Sequence, residues 1–184
     1  VRQCYEAGIN VTSLPGACAC ITALTMSGQP TRRFAFEAFL PYDKKERAQI
    51  LENLRNETRT IIIYEAPHHL KKTLKECREY LGNRNMTVCK ELTKRYEQKR
   101  KSTLDEMIAY YEENEPRGEY VLIFEGKSLQ ELKEEKQQEW NQLTVQEHME
   151  HYLEKGMDKK SAMKQVAKDR GVSKRDIYQE LLKE

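Results

Sequence analysis

The 184-residue sequence lacks any apolar run near the roughly 20 residues that cross a bilayer, which excludes a helical membrane span. No basic stretch followed by an apolar one opens the chain, so no secretory leader is legible. A disulfide framework is also missing. Cys4, Cys18, Cys20, Cys77 and Cys89 are odd in number and irregularly spaced, which points to a reducing, cytoplasmic compartment. Cys18 and Cys20 form C-x-C, and the two ligand pairs of a zinc site are absent, so no metal is expected. Free cysteines of this kind behave as small buried hydrophobes. Charge of one sign is scarce too. The net charge of +2 is too small to argue for nucleic acid, so local clustering must carry that case.

What is present is a surface-rich globular composition, 38% hydrophobic and 34% charged, long enough for one full domain and a small one. Val1–Gly8 reads as the end of a helix closed by glycine. A domain rarely opens halfway through a helix, so a preceding segment is expected. Ile9–Leu14 reads as a strand, Ala17–Ser27 as a helix of small residues, and Phe34, Phe36 and Ala38 as a half-buried strand. Asp43 caps a charged helix over Lys44–Arg55. The strand Thr60–Tyr64 follows, and Pro67 opens a helix to Leu81. Strands at Met86–Lys90, Glu97–Ser102 and Glu119–Phe124, with a helix at Leu104–Glu113, complete an alternating α/β pattern. Leu129–Gln142 reads as an exposed helical linker. Thr144–Glu184 reads as a small helical unit with capping boxes at Thr144/Glu147 and Ser173/Asp176, and Asp158 capping the helix between them. Helix, glycine turn and helix form a helix-turn-helix pattern. Lys159, Lys160, Lys164, Lys168, Arg170, Lys174 and Arg175 face only Asp169 in charge, a plausible phosphate-binding patch or a merely solvated surface.

Polar groups gather where strands end. Pro15-Gly16-Ala17-Cys18-Ala19 precedes a helix whose free N–H groups can meet a ligand, or serves only as a turn. Glu65 follows a buried strand and can either accept hydrogen bonds from a ligand or pair with a basic neighbour. His68 and His69 are proton carriers by type, although adjacent histidines at a helix start more often cap or stay solvated. Glu91-Leu92-Thr93-Lys94 follows another strand, and Arg95, Lys99, Arg100 and Lys101 extend it into a basic stretch. Arg117-Gly118-Glu119 opens the last strand. Ligands in α/β folds sit at the carboxyl ends of strands, so Glu65, Thr93/Lys94 and Arg117/Glu119 are expected to share one site.

The stretches FEAFLP (Phe36–Pro41), YEAPHH (Tyr64–His69), ELTK (Glu91–Lys94) and RGEYVLIF (Arg117–Phe124) resemble the tetrapyrrole-methylase-type S-adenosylmethionine-dependent methyltransferases. Within that family they look closest to the branch that methylates a cytidine ribose 2′-oxygen of 16S rRNA. Ala17 departs from a common proline and His69 from a usual arginine. The resemblance implies a two-lobed α/β protein, a homodimer, S-adenosyl-L-methionine as cofactor and the 16S rRNA of the small ribosomal subunit as partner, with no membrane. It assigns residues 1–28 to a remnant of the cofactor lobe, 29–127 to the second α/β lobe, 128–143 to a charged linker and 144–184 to an RNA-binding tail. It places Gly16, Cys18, Ala19, Glu65, Ala66, Leu92 and Thr93 at the cofactor. Glu65, Glu91 and Lys94 become candidates for proton acceptance or hydroxyl orientation, and Lys160, Lys164, Lys168, Arg170, Lys174 and Arg175 candidates for RNA contact. The alternatives are methylation of a small tetrapyrrole, against which the basic tail speaks, and a non-enzymatic nucleic-acid binder, against which the large α/β lobe speaks.

Overall fold

A computed structural model describes residues 1–182; Lys183 and Glu184, the end of the expected tail, lie outside the described residues. Two compact units divide the chain at Gly126/Lys127.

The first unit opens with a short helix α1 (Arg2–Glu6) and a longer α2 (Ala19–Ser27), closed by Gly28 in the left-handed region. Then come β1 (Phe34–Phe39), α3 (Lys44–Leu54), β2 (Thr60–Glu65), α4 (Pro67–Leu81), β3 (Asn85–Lys90), β4 (Gln98–Thr103), α5 (Leu104–Glu113) and β5 (Tyr120–Phe124). Asp43 caps α3 through the N–H groups of Lys45 and Glu46, as its position predicts. Pro67 starts α4, where its missing N–H costs nothing.

The five strands form one mixed sheet in the order β1-β2-β5-β3-β4. β1 and β2 run parallel, and the other neighbouring pairs are antiparallel. The carboxyl ends of β1, β2 and β3 therefore share an edge with the start of β5, because Tyr120 pairs with both Glu65 and Lys90. Side-chain alternation splits the core in two. Ile61, Ile63, Met86, Val88, Leu122 and Phe124 face α3, α4 and α5. Ile62, Cys89, Val121 and Ile123 face Cys20, Ala23 and Leu24 of α2. Leu122 is fully buried, and its truncation to alanine would cost roughly 2–5 kcal/mol.

Ile9–Leu14, expected as a strand, has no regular structure. A strand needs a neighbour for its N–H and C=O groups, and among the described residues none pairs with this segment. Residues 1–28 lie in the same compact unit as the sheet, one face of which α2 covers.

The second unit contains α6 (Leu129–Asn141), α7 (Val145–Glu154), α8 (Lys159–Arg170) and α9 (Lys174–Leu181). Both expected capping boxes form, and Asp158 caps α8. Val145, Met149, Ala162, Val166 and Ile177 make a small core. The stretch 128–143, expected as an exposed helical linker, is the helix α6, which has no buried residue but touches the rest of this unit. Trp140 stacks flat on buried His148, ring centroids 3.9 Å apart, and Gln137 Nε2 donates to the Arg170 carbonyl at 2.5 Å. Gly171 closes α8 at φ +67°, a conformation that favours glycine, and a Cβ there would displace the Gln137 amide, 2.6 Å away.

Candidate functional site

The strand-end edge of the first unit holds most of the sequence-predicted residues, on two opposite faces. Glu91 and Thr93 adopt left-handed backbone, at φ +51° and +64°, and so does Ala38 in FEAFLP, at +53°. Left-handed non-glycine residues carry strain that the surroundings must hold. Glu91 supplies that support. Its Oε1 accepts the Glu119 N–H at 2.8 Å, and its carboxylate lies against Gly118, where a Cβ would clash at 2.6 Å. Lys94 Nζ bridges Glu91 at 3.1 Å and Glu119 at 2.8 Å. The Glu119 carboxylate, then Glu91, raise the Lys94 pKa, so the ammonium persists. The Glu119 N–H, then Lys94, lower that of Glu91. Thr93 N–H donates to Glu97 at 2.6 Å.

On the α2 face, Leu92 packs with Cys20, Val121 and Tyr64. Tyr64 organises this face. Its hydroxyl accepts the Cys20 N–H at 2.9 Å, and Phe36 and Phe39 meet its ring edge-on with centroids 4.9 and 5.6 Å away. Phe36 and Phe39 are 43% and 62% exposed, so an aromatic ledge lies beside the start of α2. Cys18 is the uncapped N-cap of that helix, exposed, with its thiol 3.3 Å from the Cys20 thiol. The Ile21 N–H, then Cys20, lower the Cys18 pKa, while burial raises that of Cys20. Gly16 and Ala19 are exposed in and just after the preceding turn.

Glu65 lies apart from this group. It is 5% exposed and faces α3 and α4. Thr73 donates a short hydrogen bond to it, the Ala66 N–H donates at 2.8 Å, and Arg47 Nη2 stands 3.9 Å away. Arg47 in turn binds Thr73 and Glu76, both at 2.6 Å. Of the two readings open from sequence, pairing with a basic group describes Glu65. The shared site expected for Glu65 with Lys94 and Glu119 therefore divides. Lys94, Glu91 and Glu119 meet, whereas the Glu65 carboxylate belongs to a buried network on the other side. That network floors a cavity of about 330 Å³ lined by Tyr42, Ala66, His69 and Lys72. His69 meets Tyr42 edge-on and His68 at 4.3 Å.

In the second unit, Lys160, Lys164 and Lys168 are exposed on one stripe of α8, and Lys174 and Arg175 are exposed at the start of α9. Arg170 does not join them. It is 9% exposed and donates to His148 Nδ1 at 3.2 Å and to the Leu143 and Thr144 carbonyls at 2.6 and 2.8 Å. Its Nε and Nη2 donors are turned inward as an internal clamp, which sets it apart from the exposed lysines expected at RNA. The bond from Arg170 leaves the proton on His148 Nε2, which lies 3.5 Å from Asp169. Burial, then Arg170, lower the His148 pKa.

Sequence reasoning missed Tyr64, Arg47 and Thr73. Period-two alternation along Ile63-Tyr64-Glu65 would have put Tyr64 and Glu65 on opposite faces. Nothing local pointed to Arg47 or Thr73. Among the described residues, no group of three His, Cys, Asp or Glu could hold a metal ion, and no helix is long and apolar enough to cross a membrane.

The family described as Tetrapyrrole (Corrin/Porphyrin) Methylases matches residues 1–108. A Halalkalibacterium halodurans protein named Ribosomal RNA small subunit methyltransferase I is 47% identical over 178 residues, covering 97% of this chain and 61% of the relative. The Bacillus subtilis protein of the same name is 45% identical over the same shares of both chains. This chain thus spans about three fifths of the length of the curated relatives it matches. The crystal structure of the methyltransferase CobJ superposes with a TM-score of 0.51 at 16% identity, covering 66% of this chain and 53% of that one, a likeness of fold.

Proposed function

The chain belongs to the tetrapyrrole methylase family, and from that premise we propose that it serves S-adenosylmethionine-dependent 2′-O-methylation of a cytidine ribose in 16S rRNA. The observation that carries this reading is the 47% identity to a ribosomal RNA small subunit methyltransferase I over 97% of the chain, a span that includes the basic helical tail. A small tetrapyrrole needs no such tail.

The α2 face fits the cofactor. Phe36, Phe39, Tyr64 and Leu92 offer an aromatic and apolar ledge for an adenine ring, and the turn from Gly16 to Ala19 offers backbone groups beside it. When bound, S-adenosylmethionine would supply the methyl group from its sulfonium. The protein's part is alignment of the ribose oxygen and of the proton it loses, and proximity can lower much of the barrier. Lys94 is the proposed orienting group for the hydroxyl, held in place by Glu91 and Glu119. Glu65 is left to anchor the end of β2. Lys160, Lys164, Lys168, Lys174 and Arg175 are proposed to hold rRNA phosphates, a contribution that weakens with salt.

The proposal includes a homodimer in the cytoplasm, supported by the family resemblance and by exposed Leu14 and Tyr42, and sedimentation velocity tests it. The reaction is tested by incubating the protein with methyl-labelled S-adenosylmethionine and either 16S rRNA or a porphyrinoid. Label in RNA supports the reading; label only in the porphyrinoid refutes it.

A further inference from the structure

The basic stretch after Lys94 is absorbed neither by the cofactor face nor by the tail. It forms β4, the edge strand of the sheet, and its side chains alternate between two faces. Lys99 pairs with Cys89 and Lys101 with Thr87, which places both on the α2 side, and Lys101 Nζ reaches Gly28 at the end of α2. Gln98 pairs with Lys90 and Arg100 with Val88, on the opposite side, toward α5.

On that side two adjoining cavities of about 240 and 370 Å³ share Lys90, Gln98, Tyr110 and Tyr111 and form one groove. Arg100 contributes to one end, and Arg117 and Tyr120 to the other. The groove opens at the strand-end edge that carries Glu91–Lys94, since Lys90, Gln98 and Tyr120 are the last paired residues there.

Its charge is uncommitted. Arg47, Arg55, Arg59 and Arg78 of this unit are each locked to a carboxylate. Among the described residues, Lys90, Arg100 and Arg117 form no ion pair. The one carboxylate that lines the groove among the described residues, that of Glu115, is bound to Lys71 at 3.0 Å. Arg100 is exposed and lies over the Tyr110 ring, its guanidinium carbon 3.8 Å from the centroid. Tyr120, 2% exposed, accepts the Arg117 N–H at 3.0 Å and so fixes the backbone from which Arg117 projects. Exposed cations and amides along one groove match the backbone of a single-stranded polyanion. Basic side chains on an edge strand also deter sheet-to-sheet pairing, but that role requires neither a groove nor one particular face.

We propose that this groove is a second RNA-binding site, which holds a single-stranded segment of the substrate with Arg100 and Arg117 on its phosphates; it rests on the RNA reading given above. The test is fluorescence anisotropy of a labelled, mixed-sequence single-stranded RNA with the full chain, titrated at several salt concentrations. Each single-strand phosphate contact adds about 0.7 to the salt slope, or roughly fivefold in affinity at about 0.1 M salt. Arg100→Ala combined with Arg117→Ala is expected to weaken binding about 25-fold and to flatten the slope by about 1.4. Lys101→Ala, which removes one charge from the same strand on the other face, is expected to leave affinity within about twofold of the parent. Arg117→Ala and Lys90→Ala are measured singly as well, so that a folding defect in one variant leaves the others to decide. A double variant that binds like the parent, or a loss at Lys101→Ala equal to that at Arg117→Ala, overturns the groove while leaving the RNA reading intact. A parent chain without RNA affinity overturns the RNA reading itself.

Discussion

Replacing Glu65 by glutamine separates an anchor from a proton acceptor. The carboxylate is 5% exposed and is held by Thr73, the Ala66 N–H and Arg47. Glutamine keeps one acceptor oxygen, but it turns an NH₂ toward Thr73 and the Arg47 guanidinium, both of which need an acceptor there. Removing one partner of a buried ion pair costs about 3–5 kcal/mol. Arg47 retains Glu76 at 2.6 Å, which places the expected loss lower, at about 2–3 kcal/mol. For a unit of this size that corresponds to a melting point lower by roughly 10 °C. Circular dichroism reports both units and fluorescence of Trp140, the chain's single tryptophan, reports the second alone, so a shift seen in dichroism without one in fluorescence belongs to the sheet-containing unit. Well below the melting transition, methyl transfer should proceed at the parent rate. A variant as stable as the parent but without activity would refute the anchor role and return Glu65 to the chemistry.

Three further outcomes are expected. The Arg59 guanidinium holds the Glu57 carboxyl down to about 2 from an ordinary 4.5, and the Glu57 side chain is only 15% exposed. Because the folded value lies below the unfolded one, this stabilisation is complete above about pH 4.5 and is lost as pH falls toward 2; it amounts to at most about 3 kcal/mol. Glu57→Gln should flatten acid unfolding across that window, and an unchanged acid transition would contradict it. Burial pushes the Cys77 thiol up to about 12 and that of Cys89 to about 11, while the exposed Cys18 thiol is lowered by the Ile21 N–H. Alkylation near pH 8 should therefore modify Cys18 well before Cys77 or Cys89, as peptide mapping would show, and S-adenosylmethionine should slow it; equal labelling of Cys18 and Cys77 would count against this. Arg170→Lys loses the fork that binds His148 and two carbonyls, and should destabilise the second unit by about 2 kcal/mol in Trp140 fluorescence melts. Lys164→Ala should instead leave the melt unchanged and weaken RNA binding about fivefold.

The helices were largely legible because their signals are local. Asp43, Thr144, Asp158 and Ser173 each cap the helix that their spacing predicts, since a cap needs only the next three residues. The buried strand at Thr60–Tyr64 was legible from its continuous apolar run, and it continues to Glu65. Partners distant in sequence were not. The irregular course of Ile9–Leu14 depends on which strand lies beside it. The destination of Glu65 depends on Arg47 and Thr73, and that of Arg170 on the carbonyls of Leu143 and Thr144, 26 or 27 residues away. At the candidate site, ELTK and RGE were legible as neighbours from their places at strand ends, whereas the left-handed backbone of Glu91 and its bond to the Glu119 N–H were not. Tyr64, which joins β2 to the start of α2, was hidden inside an apolar run that needed no polar role.

The position of the transferred methyl group tests the central claim most directly. A ribose 2′-O-methyl blocks alkaline cleavage of the adjoining phosphodiester. Alkaline hydrolysis of labelled 16S rRNA should therefore leave the label in a dinucleotide whose 5′ residue is cytidine. Label released in single nucleotides would place the methyl on a base and contradict the account.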